Sequence, residues 1–232
     1  MSSKHHVVLL PGLDGTGDLF FPIHPYLEKQ FDIHIIKYSH ESTFVQCVDS
    51  AEKQIPADVP VSLIAESFSG PVALALLSRK KFDYRASVLS ATFTKTPLPW
   101  LTKIAKYLPN SLLCNSILNR KVIDIFATDD KTNNKVKSMS YKLLDIVSPA
   151  DFKARINIIN ETDVSDQLGM IDMPLLYIQA INDRVVPARM GLEMRYGNKN
   201  ITLTRVEGPH MILQSRPEVC ADIITAFLSS NV

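Results

Sequence analysis

The stretch Ala65-Glu66-Ser67-Phe68-Ser69-Gly70 follows directly on the apolar run Val61-Ser62-Leu63-Ile64 and leads into a helix-length segment from Pro71 to Leu77. This order predicts a buried strand that turns sharply into a helix, with Ser67 at the corner. A serine held there has to accept an unfavourable backbone conformation, which pushes its hydroxyl out at the carboxyl end of a sheet. So tight a turn tolerates only small residues two positions either side of the serine, and these are Ala65 and Ser69.

A corner of this kind needs a parallel sheet around it, and the rest of the chain supplies one. Strand-like runs fall at about 6–10, 33–38, 61–66, 86–91, 174–180 and 201–206. Most are continuous apolar runs, such as Val7-Val8-Leu9-Leu10 and Leu175-Leu176-Tyr177-Ile178, which means burial on both faces. Between them lie helical segments at roughly 20–30, 43–54, 70–80, 188–196 and 217–228, with Pro217 suited to a first turn and Ser215 upstream as its cap. The alternation predicts a doubly wound, mainly parallel sheet of about six strands. One stretch breaks it. From Thr94 to about Gln167 no strand pattern occurs, and prolines divide a series of helical patterns. The expected organisation is a core of residues 1–93 and 168–232 with a helical cap at 94–167. An insertion at that point would lie over the carboxyl ends of the strands, where open α/β sheets bind ligands.

Ser67 needs a base, and the base needs an acid to orient it. All six histidines but His210 precede Ser67 in the chain. His210, in Gly208-Pro209-His210, follows the last strand, and Asp183, in Asn182-Asp183-Arg184-Val185-Val186-Pro187, follows the strand before it. Ser67, Asp183 and His210 are therefore expected at one sheet edge as nucleophile, orienting acid and base. Asp183 has a plainer alternative as the cap of the following helix. The oxyanion of an acyl-transfer reaction needs donors, expected from the backbone N–H groups of Phe68 and of Leu13 in the loop Pro11-Gly12-Leu13-Asp14-Gly15-Thr16-Gly17. That loop could instead cradle phosphate, but its glycine spacing does not fit a dinucleotide or P-loop pattern. Asp14 reads as a brace for the loop. Apolar residues of the cap segment, with Trp100, Ile104 and Phe126 singled out, are candidates for a substrate pocket, although an amphipathic helix normally spends such residues on packing.

These motifs together resemble the α/β-hydrolase superfamily over nearly the whole chain. The loop Leu10 to Gly17 is similar to that of a bacterial and plastid branch of esterases and acyltransferases. The resemblance implies an acyl-enzyme mechanism through Ser67, His210 and Asp183, with no cofactor and no metal, acting on a small acyl ester or thioester. Ala65 and Ser69 stand where many members have glycine, and Pro11 where many have histidine. The sheet is expected to lack the family's first two antiparallel strands.

Partners follow from charge. The chain carries 25 basic and 24 acidic residues, which gives no support for a nucleic-acid partner. From Thr94 to Ser165 eleven Lys and Arg face seven Asp and Glu, an excess that could dock an acyl carrier protein or a coenzyme A thioester, or could simply be a solvated surface. No apolar stretch is long enough for a membrane span, and no secretion signal is recognisable. Cys47, Cys114 and Cys220 have no metal-ligand spacing and read as free thiols, which points to the cytoplasm. Other readings are an acyltransferase passing the acyl group to an alcohol, an esterase of acyl-carrier methyl esters, and a non-catalytic binding member of the fold. A metal hydrolase is disfavoured, because no cluster of His and Asp has ligand spacing along the chain.

Overall fold

A computed structural model describes residues 4–99 and 120–232. Elements are numbered over those residues. Six strands form one sheet in the order β2-β1-β3-β4-β5-β6. They are β1 (His5–Leu10), β2 (Phe31–Ile35), β3 (Val61–Glu66), β4 (Tyr84–Ser90), β5 (Leu175–Ala180) and β6 (Ile201–Val206). Every neighbouring pair is parallel. All six expected strands are present. The second begins two residues early and ends at Ile35, because Phe31 is buried and pairs with His5 at the bottom of the sheet.

Alternation along each strand divides the core in two. Val8, Leu10 and Leu63 face one side with α2 (Phe44–Gln54) and α3 (Ser69–Arg79), while Val7, Leu9 and Ile64 face the other with the C-terminal helix. Local chemistry explains the helix ends. Thr43 and Gln46 form a reciprocal capping box at the start of α2. In α3, Pro71 sits in the first turn, where its missing N–H costs no helical bond. The single helix expected over 20–30 is instead a 3₁₀ turn (Asp18–Phe20) and a short α1 (His24–Leu27), since Pro22 and Pro25 interrupt it.

Between β4 and β5 the described residues hold a π-helical turn (Ile123–Ala127), α4 (Asn134–Ile146), α5 (Pro149–Glu161) and a 3₁₀ turn (Ser165–Met170). The two ends of this stretch meet. Lys95 and Asp163 form an isolated antiparallel bridge, and Val164 N–H donates to Thr94 O at 2.9 Å. After β5 come α6 (Arg189–Gly197), β6, α7 (Ile212–Ser215) and α8 (Pro217–Ser229). Ser215 does not cap α8. It ends α7, and its hydroxyl is hydrogen-bonded to Thr132 at 2.9 Å, while Arg216 occupies the cap position. Among the described residues no helix is long and apolar enough to cross a membrane.

Candidate functional site

Ser67 directly follows β3 and takes φ 47°, a left-handed value that a residue with a Cβ adopts only when its surroundings force it. The forcing groups are visible. Ser67 N–H donates to Ser90 O at the end of β4 at 3.0 Å, and Ser67 O accepts from Gly70 N–H at 3.1 Å and from the Thr92 hydroxyl. Thr92 crowds so close that a Cβ on Gly70 would lie 1.9 Å from its Oγ1. Ser69 does more than stay small. Its hydroxyl donates to Pro11 O and is hydrogen-bonded to Tyr38 Oη at 3.0 Å, tying the turn to the loop after β1.

The acid and histidine loops leave neighbouring strands at the same edge. Backbone bonds continue the β5–β6 ladder past both strands, from Ile181 N–H to Val206 O and from Asn182 N–H to Gly208 O. They hold Asp183 beside His210. Asp183 Oδ1 accepts from the Val185 and Val186 N–H groups, both at 2.8 Å, and its Oδ2 lies 2.9 Å from His210 Nδ1. Asp183 does not cap the following helix, whose N-cap is Ala188; one of its oxygens braces its own loop and the other meets the imidazole. His210 Nε2 lies 2.9 Å from Ser67 Oγ. The structure brings Ser67, His210 and Asp183 into one hydrogen-bonded line. In that line the imidazole can take the serine proton while the carboxylate fixes the tautomer.

Electrostatics raise the proton affinity of the imidazole. Burial works against the imidazolium, but the Asp183 charge and hydrogen bond, with the Glu66 charge behind them, outweigh it and hold His210 above the ordinary imidazole value. Glu66, at the end of β3, is only 6% exposed. Burial pushes its carboxyl up to about 7 despite a hydrogen bond from Gln214 Nε2 at 2.9 Å. The other amide atom, Gln214 Oε1, is buried without a partner, so a protonated Glu66 would suit this pair better than an ionised one.

The loop after β1 turns at Gly15 and Gly17, both at positive φ, and is braced by Asp14, whose Oδ2 accepts from Thr16 N–H at 2.9 Å. Its position is set from the far side. Arg155, on α5, is buried and donates to Leu13 O at 2.9 Å, Asp14 O at 2.6 Å and Ser39 O at 3.4 Å. A Cβ on Gly15 would strike the guanidinium at 2.6 Å. Leu13 is thus held by its own carbonyl, and Phe68 occupies the N-cap of α3, where the helix presents its positive end.

Of the pocket candidates, Phe126 lies in the π-helical turn, 37% exposed. That turn adjoins the site, because Met211 N–H donates to Ala127 O at 3.0 Å and Arg184 donates to Ile125 O at 2.9 Å. Trp100 and Ile104 lie outside the described residues. Sequence reasoning missed Arg155, which looks like any polar residue of an amphipathic helix, and Glu66, whose place in an unbroken buried strand was the available signal.

No family model matches the chain, and no curated protein does. Solved structures do. A hydrolase from Oleispira antarctica superposes with a TM-score of 0.84 at 16% identity, covering 99% of this chain and 93% of that one. An esterase from Exiguobacterium antarcticum gives 0.81 at 15% identity, covering 99% and 93%. An enol-lactonase from Burkholderia xenovorans LB400 gives 0.80 at 15% identity, covering 98% and 92%. With six parallel strands, flanking helices and these likenesses, the chain has the α/β-hydrolase fold.

Proposed function

We propose that the protein is a serine hydrolase that cleaves carboxylic esters or thioesters through an acyl-enzyme. The observation that carries this is the unbroken line Ser67 Oγ, His210 Nε2, His210 Nδ1 and Asp183 Oδ2, with 2.9 Å at both contacts. Ser67 attacks the acyl carbonyl as His210 removes its proton, and Asp183 orients the imidazole and stabilises its charged form. The N–H groups of Leu13 and Phe68 receive the oxyanion. His210 then gives its proton to the departing alcohol or thiol. Water, deprotonated by the same imidazole, releases the acid. Transfer to an alcohol instead would use the same steps, and product analysis in mixed water and alcohol separates the two. Residues 94–167 act as the cap in this reading, with Phe126 at the pocket edge. The neighbours named as esterase and enol-lactonase accord with it.

A carrier-protein partner has weaker support. Arg155 is spent on the loop after β1, and Lys95, Arg120 and Lys131 pair with Glu193, Asp145 and Glu207. Of these, the pairs with Glu193 and Glu207, which lie outside the segment, offset part of its positive excess. The decisive experiment is hydrolysis of a chromogenic short-chain ester, with fluorophosphonate labelling in parallel. Ser67→Ala is expected to lose labelling and to drop kcat about a thousand-fold or more with the fold intact. Undiminished turnover in that variant would remove Ser67 from the mechanism.

A further inference from the structure

A second cluster lies at the opposite end of the sheet from Ser67. The β1–β2 register places His6 directly across from Asp32, with His34 two residues further along β2 on the same face. His6 Nδ1 is 2.9 Å from His34 Nε2 and 3.4 Å from Asp32 Oδ2. The two imidazoles stack, with centroids 5.2 Å apart. The three ligand-type atoms all lie within 4.8 Å of one another. Spacing along the chain led to no expectation of this cluster, because strand register is what brings the three residues together. The site is remote from the hydrolytic residues. His6 pairs with Val61 of β3, so Ser67 is six residues further along, about 20 Å away.

The geometry points to a surface site for a zinc-class divalent ion held by His6 Nδ1, His34 Nε2 and the Asp32 carboxylate. Two imidazoles and one carboxylate form a ligand set suited to such ions. Ligand distances of about 2.0–2.2 Å put the donor atoms around one ion no more than about 4.2 Å apart. The donors here come within that limit after a side-chain movement of well under about 1 Å. Nothing else in the cluster uses these donors fully: two neutral rings facing each other can share only one proton between them. The Asp32 side chain is 55% exposed, so an ion can enter from solvent and keep water at its remaining position. His5 points to the other face and is engaged with Ser62 Oγ at 2.9 Å, so it does not compete. A bound ion would cross-link β1 to β2, the strand at the sheet edge.

The test is zinc titration of the untagged chain by calorimetry, with cobalt absorption as a second readout and thermal unfolding with and without zinc. One ion per chain is expected, with a zinc-dependent rise in Tm. His34→Ala and Asp32→Asn should each weaken zinc binding by at least about tenfold and remove the Tm rise, while His24→Ala and Ser67→Ala should bind as the wild type does. Should His34→Ala be poorly folded, Asp32→Asn, at an exposed position, carries the comparison. Absence of stoichiometric binding, or equal affinity in wild type and Asp32→Asn, overturns the site. None of these readouts depends on hydrolysis, so failure here leaves the hydrolase reading untouched and the reverse also holds.

Discussion

Ser67 stores strain that its neighbours maintain, and Glu66 beside it is a carboxyl kept from ionising by burial. At φ 47° any Cβ is unfavourable, so Ser67→Gly should be more stable than Ser67→Ala by about 1 kcal/mol in denaturant unfolding, with both inactive. Equal stabilities would mean the turn imposes no strain. Glu66 acts through proton linkage. Its folded carboxyl sits near 7 against an ordinary 4.5, so between those values the folded state binds more protons than the unfolded one. Stability from this group is fully present below about 4.5 and is lost as pH rises through about 7. Glu66→Gln should therefore stabilise the protein at pH 8 relative to wild type, with the difference vanishing near pH 4, by urea unfolding at each pH. The same change removes a charge that raises His210. The acid limb of kcat/KM should then move to lower pH, because His210 must be neutral to accept the serine proton. An unmoved limb would show that Glu66 is uncharged wherever His210 titrates. The thiols of Cys47 and Cys220, both pushed up to about 12 by burial, are inert beside these groups.

Among the elements, α5 is joined to the loop after β1 through one side chain. Arg155 satisfies three backbone carbonyls at once, of Leu13, Asp14 and Ser39. Arg155→Met would remove the partner of the Leu13 and Asp14 carbonyls, whose bonds are part-buried, each at a cost of up to about 1–3 kcal/mol if no water replaces the bond. If Leu13 N–H receives the oxyanion, kcat should fall by more than the loss of folded protein explains, with KM nearly unchanged. Arg155→Lys should rescue only part of this, because an ammonium lacks the planar fork that reaches several carbonyls. A kcat equal to wild type in the folded fraction would assign Arg155 to stability alone. This connection was not legible in the sequence. Motif order was enough to expect Ser67, Asp183 and His210 at one edge, because strand ends converge in a parallel sheet whatever the loops do, and the three side chains lie in hydrogen-bond contact there. Arg155 reaches the loop from 141 and 142 residues away through tertiary packing, and no local pattern encodes that. The His6, Asp32 and His34 cluster was hidden for a related reason. The alternation Asp32-Ile33-His34 is visible, but its partner strand and register are not.

At the scale of the molecule the sheet separates two cores. Leu74 belongs to the layer on one face and Ile224 to the layer on the other, and both are fully buried. Ile224→Val should cost about 1 kcal/mol and Leu74→Ala about 3 kcal/mol. The double variant should show their sum within about 0.5 kcal/mol in urea unfolding, since the two sites share no partner. A larger deviation would mean that the sheet transmits repacking from face to face. The six strands were legible because continuous apolar runs have few other uses. The break in the expected 20–30 helix was written in Pro22 and Pro25 but masked by the apolar residues around them. The junction at Lys95 and Asp163, where Val164 also donates to Thr94 O, gives the stretch between β4 and β5 a closed neck. Because departure and return share a single doorway, the sheet is indifferent to the length of whatever passes through it, as closing a longer loop adds only about 0.6 kcal/mol per doubling. A longer or shorter segment could pass that threshold at little cost to the strands, provided it kept Arg155 on the loop after β1 and Ile158 in the layer beneath it.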